Sequence, residues 1–169
     1  IVPGYTGVNN IKYVKQLAFT AKESEAHIMS HGYRISPPGG KGDPSQPSVQ
    51  EMSVKSWINS PLPESGTLAA GGTVQITGVA FGGLHAVKGV EVSIDGGKTW
   101  QAARFIGPDM GKYAWRQFAL QTKLPAGTLT LASRATDVAG NVQPETRGEN
   151  QSGYNNTSWA DHAVKVTVA

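Results

Sequence analysis

His27 and His31 stand four residues apart, a spacing that would put both imidazoles on one face of a helix and let them share a divalent metal. The segment is short, Gly32 would end any helix, and no third ligand is spaced to join them, so two ordinary surface histidines are the alternative. Gly39-Gly40-Lys41-Gly42 has the flavour of a phosphate-cradling loop. It lacks that motif's first glycine, and a glycine follows Lys41 where serine or threonine is required. Asp95, Asp109, Asp137 and Asp161 all fall at expected turns or strand ends, where aspartate serves local hydrogen bonding. Asn150-Gln151-Ser152, Asn155-Asn156-Thr157 and Asn156-Thr157-Ser158 match glycosylation sequons and read as accidents of sequence. No Ser–His–Asp set and no catalytic carboxylate pair can be assigned from spacing. The chain has no cysteine, which excludes disulfides, cysteine-ligated zinc or iron–sulfur, and a thiol nucleophile together.

The elements that would position these residues are mostly strands. Val90, Val92 and Ile94 alternate with Glu91 and Ser93, and Asp95-Gly96-Gly97-Lys98 then reverses the chain into Thr99-Trp100. Val92, Ile94 and Trp100 are expected to be buried. Further strands are expected from Met52, over Thr73–Phe81, Tyr113–Leu120, Thr128–Thr136 and His162–Val168. Ile11–Phe19 is another strand candidate, with Ile11 and Tyr13, then Leu17 and Phe19, alternating about a bend or bulge. Between Thr20 and Gln50 the pattern dissolves, and Pro37-Pro38-Gly39-Gly40-Lys41-Gly42-Asp43-Pro44 can enter neither helix nor ladder. The reading is all-β: an immunoglobulin-like antiparallel β-sandwich over residues 51–169, with an extended N-terminal arm over residues 1–50. The four tryptophans fall on different strands and at strand ends, as a core would use them.

Composition narrows the function classes. Fifteen basic and 12 acidic residues give a net charge of +3, with no Lys/Arg run, so nucleic acid is not expected as a partner. No stretch approaches the roughly 18 apolar residues of a membrane span, and no signal-peptide pattern is present. The chain opens on Ile1-Val2-Pro3-Gly4 without an initiator Met and reads as a piece of something longer.

Ser93-Ile94-Asp95-Gly96-Gly97-Lys98-Thr99-Trp100 fits the Asp-box pattern of sialidase propellers, but that fold needs several copies and this chain has one. The flanking sequence resembles a different family. Val2-Pro3-Gly4-Tyr5-Thr6-Gly7-Val8-Asn9-Asn10-Ile11-Lys12-Tyr13-Val14 resembles the segment of sulfite oxidase family enzymes where the molybdenum-cofactor domain passes into the C-terminal domain. Glu23-Ser24-Glu25-Ala26-His27 with Tyr33-Arg34-Ile35, the Val90–Gln101 hairpin, Ser133–Pro144 and Gly153–Trp159 are similar to further family segments, in the family's order.

The resemblance implies the dimerisation domain of a molybdenum oxidoreductase of the bacterial sulfite or sulfane dehydrogenase kind. It implies molybdenum–molybdopterin in the parent enzyme, ligated by a cysteine of an upstream cofactor domain, and none held by this piece alone, which is then inactive by itself. It also implies a homodimer, the parent's own cofactor domain as partner, a possible cytochrome c acceptor and a periplasmic location. Asn10, Ile11 and Lys12 take the family's pterin-contacting positions, with Lys12 as a fixed cation; a plain solvated lysine is the alternative. Family members acting on sulfite often place an arginine where Ser152 stands here. Either Arg147, five residues earlier, substitutes for it, or the substrate is not sulfite. The sheet face carrying Thr128, Thr130, Ala132 and Arg134, or its neighbour, is expected to supply a self-association patch. The competing class is a free-standing immunoglobulin-like adhesion or carbohydrate-binding module, which would show a row of exposed aromatics on one sheet face.

Overall fold

The computed structural model of the chain describes residues 1–148 and 152–169, so Asn150 and Gln151 of the first sequon lie outside the described residues. Two compact units are present: Ile1–Met52 with Arg147–Asn156, and Ser53–Thr146 with Thr157–Ala169.

The larger unit is built from seven antiparallel strands: β1 (Lys55–Ser60), β2 (Thr73–Phe81), β3 (Val87–Ser93), β4 (Gln101–Ile106), β5 (Arg116–Lys123), β6 (Gly127–Asp137) and β7 (Val164–Val168). They pair in the order β1-β2-β5-β4-β3-β6-β7. The groups β1-β2-β5-β4 and β3-β6-β7 are the two layers of an immunoglobulin-like sandwich, joined here because β4 also pairs with β3 at Val90–Ala103, Glu91–Ala102 and Val92–Gln101. The all-β expectation holds.

Alternation explains the core. Along β2, Ile76, Gly78 and Ala80 turn inward while Gln75 faces solvent. Ile76, Ala80 and Phe118 from one layer meet Val90, Val92, Leu131, Ala135, Val166 and Val168 from the other. Gly78 is required by close approach: a Cβ there would lie 2.2 Å from the Trp57 carbonyl oxygen and 2.4 Å from Phe118 Cζ.

A polar group ties β1 to β6 inside this core. Gln143 Oε1 accepts from the Ser56 backbone N–H at 2.8 Å, the Ser56 hydroxyl at 2.9 Å and the Ala135 N–H at 3.2 Å. Its Nε2 donates to the Ser56 carbonyl at 3.1 Å, and Ser56 Oγ lies 3.0 Å from Ser133 Oγ. Each of these residues is buried, and their polar atoms satisfy one another as burial demands.

The turn from β3 to β4 is a side-chain-locked hairpin. Ser93 Oγ donates to Asp95 Oδ1 at 2.7 Å and accepts from the Gly97 N–H at 2.8 Å. Asp95 accepts from the Thr99 N–H at 2.9 Å and the Thr99 hydroxyl at 2.6 Å. Gly97 has φ +92°, and a Cβ there would strike the Trp159 ring at 2.3 Å.

The Thr99 hydroxyl, then the Thr99 amide and the Ser93 hydroxyl, hold the Asp95 carboxyl down at about 2, from 3.8. A lowered pKa in the folded state means the unfolded chain takes up the proton first on acidification. The stabilisation is therefore full above pH 3.8 and is lost as the pH falls toward 2. Asp95→Asn is expected to flatten the acid-unfolding profile across that window. A variant profile as steep as the parent's would remove this hairpin from the account of acid stability.

Several expectations are corrected. Ile11–Phe19 is not a strand: no described residue hydrogen-bonds to its backbone, and Tyr13 sits at φ +56°. Alternation makes a ladder only where a partner strand is available. The Met52 strand begins later, at Lys55, and the Tyr113 strand begins at Arg116. Val92 is fully buried, but Ile94 and Trp100 are only half-buried. Trp100 lies on the rim, between the Arg134 guanidinium at 4.3 Å and the ring of Trp159 at 5.2 Å. Of the tryptophans only Trp159 is buried. Trp57, Trp115 and Phe81 instead make a part-exposed aromatic group with centroids 4.3–5.0 Å apart. On the face expected to associate, Ala132 is buried and Arg134 is paired to Glu91 at 2.8 Å, while Thr128 is exposed.

The smaller unit has little regular structure. It contains a 3-10 turn at Gly7–Asn9, a single-turn helix α1 (His27–Ser30), and isolated bridges Tyr5–Glu51 and Arg34–Ser48.

Candidate functional site

Helix α1 opens on His27, and His31 stands at its C-cap. Their rings stack with centroids 5.0 Å apart at 9°, and Ser30 Oγ lies 2.8 Å from His31 Nδ1. Gly32 then lets the chain turn back on itself, since a Cβ there would meet the Ile28 carbonyl oxygen at 2.6 Å. Tyr33 follows at φ +49°, a left-handed conformation that costs an ordinary residue about 1–3 kcal/mol and gathers at functional sites. Its ring packs 4.8 Å from that of Tyr154.

Arg34, 5% exposed, anchors the next turn by donating to the Gln46 carbonyl at 3.0 Å and to Glu23 at 2.8 Å. The Ser48 hydroxyl, then Arg34, hold the Glu23 carboxyl below its usual range. The Gly39–Gly42 loop folds over, with the Gly40 N–H turned to the Pro37 carbonyl at 2.9 Å rather than outward as a phosphate cradle would need. Its close packing depends on Gly42, where a Cβ would lie 1.8 Å from the His31 carbonyl oxygen.

These turns enclose a cleft of about 470 Å³ lined by His27, His31, Tyr33, Arg34, Lys41 and Tyr154. Its walls are donors and cations, namely a guanidinium, an ammonium, two imidazoles and two phenols, with no carboxylate among them. Such a lining suits a small oxyanion. It does not suit a metal ion, since no group of three His, Cys, Asp or Glu side chains lies close enough among the described residues.

The other predicted site residues lie in the same unit. Asn10 is committed locally: its Nδ2 donates to the Thr6 carbonyl at 2.9 Å and its Oδ1 accepts from the Val2 N–H at 2.6 Å. Ile11 is 75% exposed and Lys12 is exposed, so the backbone of both and the Lys12 ammonium are open to a ligand. Asn10 thus holds the turn that carries Ile11 and Lys12. Arg147 is half-buried and engaged within its surroundings. Sequence reasoning missed Tyr33 and Tyr154 as cleft walls, because tyrosines far apart in the chain carry no spacing signal; only the fold brings them together.

The larger unit is thus an all-β antiparallel fold, and the smaller unit is loop-built with a donor-lined cleft. Residues 46–169 match the family model of the Mo-co oxidoreductase dimerisation domain. The chain belongs to that family, the dimerisation domain of sulfite oxidase-type molybdenum enzymes. It is 36% identical over 181 aligned positions to the mitochondrial sulfite oxidase of Macaca fascicularis, covering 100% of this chain and 32% of that protein. It is 29% identical to an NADH nitrate reductase of Solanum lycopersicum, covering 99% of this chain and 20% of that protein. Among solved structures, the sulfane dehydrogenase SoxCD of Paracoccus pantotrophus superposes with a TM-score of 0.78 at 31% identity, over 100% of this chain and 46% of that chain. The chain thus spans about a third of the length of sulfite oxidase relatives it matches. The comparisons support the molybdenum-enzyme family and give the adhesion or carbohydrate-binding alternative no support.

Proposed function

We propose that this chain is the self-associating C-terminal portion of a molybdenum oxidoreductase that oxidises sulfite or a related sulfur oxyanion. The family match over residues 46–169 carries the assembly role, and the carboxylate-free cleft supports an oxyanion substrate. In this reading the molybdenum cofactor, when bound, supplies the two-electron chemistry. The residues of this chain attract and orient: Lys41 offers positive charge, the imidazoles offer hydrogen-bonding nitrogens, and Tyr33 and Tyr154 wall the cleft. Electrons would leave to a cytochrome c, in a periplasmic enzyme.

In the full enzyme, Lys41→Met is expected to raise KM for sulfite roughly threefold to tenfold with kcat retained, the loss of one charge-assisted contact. An unchanged KM would remove the cleft from substrate capture. Self-association is checked on this chain by sedimentation equilibrium across a hundredfold concentration range. A dimer is expected, and its apolar centre is best supplied by Trp57, Phe81 and Trp115, with Trp115 50% exposed. A chain monomeric throughout would sink the assembly role.

A further inference from the structure

Asp95 is followed by Gly96, and no other aspartate or asparagine of the chain precedes a glycine. An aspartyl-glycyl pair has a chemistry of its own. The glycine amide nitrogen attacks Cγ of the protonated carboxyl, a C–N bond forms, and the carboxyl OH leaves with the amide proton as water. The product is a cyclic succinimide. Water then reopens the ring at either carbonyl, returning aspartate or giving isoaspartate, in which the main chain runs through the side-chain carboxyl. The water lost is the water regained, so no oxidant, reductant or cofactor takes part. Glycine favours the attack because no Cβ crowds its nitrogen.

The pair lies at the β3–β4 turn, with Gly96 exposed and Asp95 half-buried, so burial does not keep water away. Hydrogen bonding is what restrains it. Asp95 Oδ1 accepts from the Ser93 hydroxyl at 2.7 Å and the Thr99 N–H at 2.9 Å, and Oδ2 accepts from the Thr99 hydroxyl at 2.6 Å. The Gly96 N–H donates elsewhere, to the Thr130 carbonyl of β6 at 3.0 Å. Electrophile and nucleophile are therefore committed to different partners. The Thr99 hydroxyl, then the Thr99 amide and the Ser93 hydroxyl, hold the carboxyl at about 2, from 3.8. At neutral pH it thus carries the proton that cyclisation needs at least about tenfold less often than an open chain does.

We infer that Asp95-Gly96 is the chain's site of isoaspartate formation, closed while Ser93, Thr99 and Thr130 hold it and reactive whenever the β3–β4 turn unlatches. Isoaspartate lengthens the turn by one backbone carbon and moves the carboxyl off its donors, so the hairpin cannot regain its register. A transient opening is thereby recorded as a permanent change. This chemistry belongs to the hairpin alone and stands whatever the parent enzyme oxidises.

Ageing the chain at neutral pH, in buffer and in guanidinium chloride, tests this. Isoaspartate keeps the mass, so digested peptides are told apart by retention and by electron-transfer fragmentation. In denaturant, isoaspartate is expected at position 95 ahead of Asp109, Asp137 and Asp161; in buffer, position 95 should react on the order of tenfold or more slower. Thr99→Val, at an exposed position, removes one donor and should raise the rate in buffer severalfold while leaving the rate in denaturant unchanged. Ser93→Ala is the second variant, and each is aged below its measured unfolding midpoint. A parent chain that reacts as fast in buffer as in denaturant would overturn the guard. Two folded variants as slow as the parent would take it away from Ser93 and Thr99 and overturn the proposal as well. Isoaspartate arising first at another aspartate of the denatured chain would overturn the site itself.

Discussion

Gly78→Ala is expected to destabilise the larger unit by about 3 kcal/mol, because the added methyl has nowhere to go. The nearest atoms are the Trp57 carbonyl oxygen at 2.2 Å and Phe118 Cζ and Cε1 at 2.4 and 2.7 Å. Neither neighbour yields cheaply. The carbonyl belongs to a strand paired with β2, and Phe118 is fully buried at the centre of the core. Relief therefore means separating β1 from β2 or driving Phe118 off its rotamer. Gly89→Ala is the matched control: it also lies in a strand, but a Cβ there meets nothing within 4 Å. That variant should be neutral or slightly stabilising, since alanine narrows the unfolded ensemble. Denaturant unfolding of both variants decides the matter. Equal stability of the two would mean the close approach at Gly78 does not limit the packing.

The second large effect is expected at Gln143. Gln143→Leu nearly keeps the volume but takes from the Ser56 N–H, the Ser56 carbonyl and the Ala135 N–H the side-chain partner they have in the parent, while the Ser56 hydroxyl keeps Ser133. Each stranded buried polar group costs about 1–3 kcal/mol, so a loss of about 3–5 kcal/mol is expected. Ser133→Ala removes only one hydroxyl contact and should cost about 1 kcal/mol. Because the three residues share one network, the Gln143→Leu and Ser56→Ala costs should not add. A double variant as unstable as the sum of the two would show that they act independently and that the network has been misread.

How far these features were legible in the sequence depends on range. β2 was readable because Thr73, Gln75 and Thr77 alternate with Val74 and Ile76, and the apolar run Val79-Ala80-Phe81 continues the strand. The hairpin at Asp95 was readable because its chemistry is local, with Ser93, Asp95, Gly97 and Thr99 contacting one another across at most four positions. Gln143 was visible only as part of a resemblance, since its partner Ser56 lies 87 residues away. Trp100 misled for a related reason: a large aromatic beside a turn signals a contact but not its depth, and here Arg134 meets its face at the rim. In the smaller unit, the histidine spacing foretold a shared face, and the rings do stack. What Tyr33, Arg34, Lys41 and Tyr154 enclose with them depends on turns that no periodicity encodes.

The pairing order has a consequence for how this sheet meets other chains. A seven-stranded order ends in two edge strands, β1 and β7, and an unpaired edge is a template for adding foreign strands. Both are covered. Along β7, the Leu68 N–H donates to the Thr167 carbonyl at 2.9 Å, and the Ala169 N–H donates to the Leu68 carbonyl at 2.9 Å. Along β1, the Gln143 amide meets both the N–H and the carbonyl of Ser56, imitating a neighbouring peptide with a single side chain. At these points the sheet's edges are blunted against edge-to-edge strand addition.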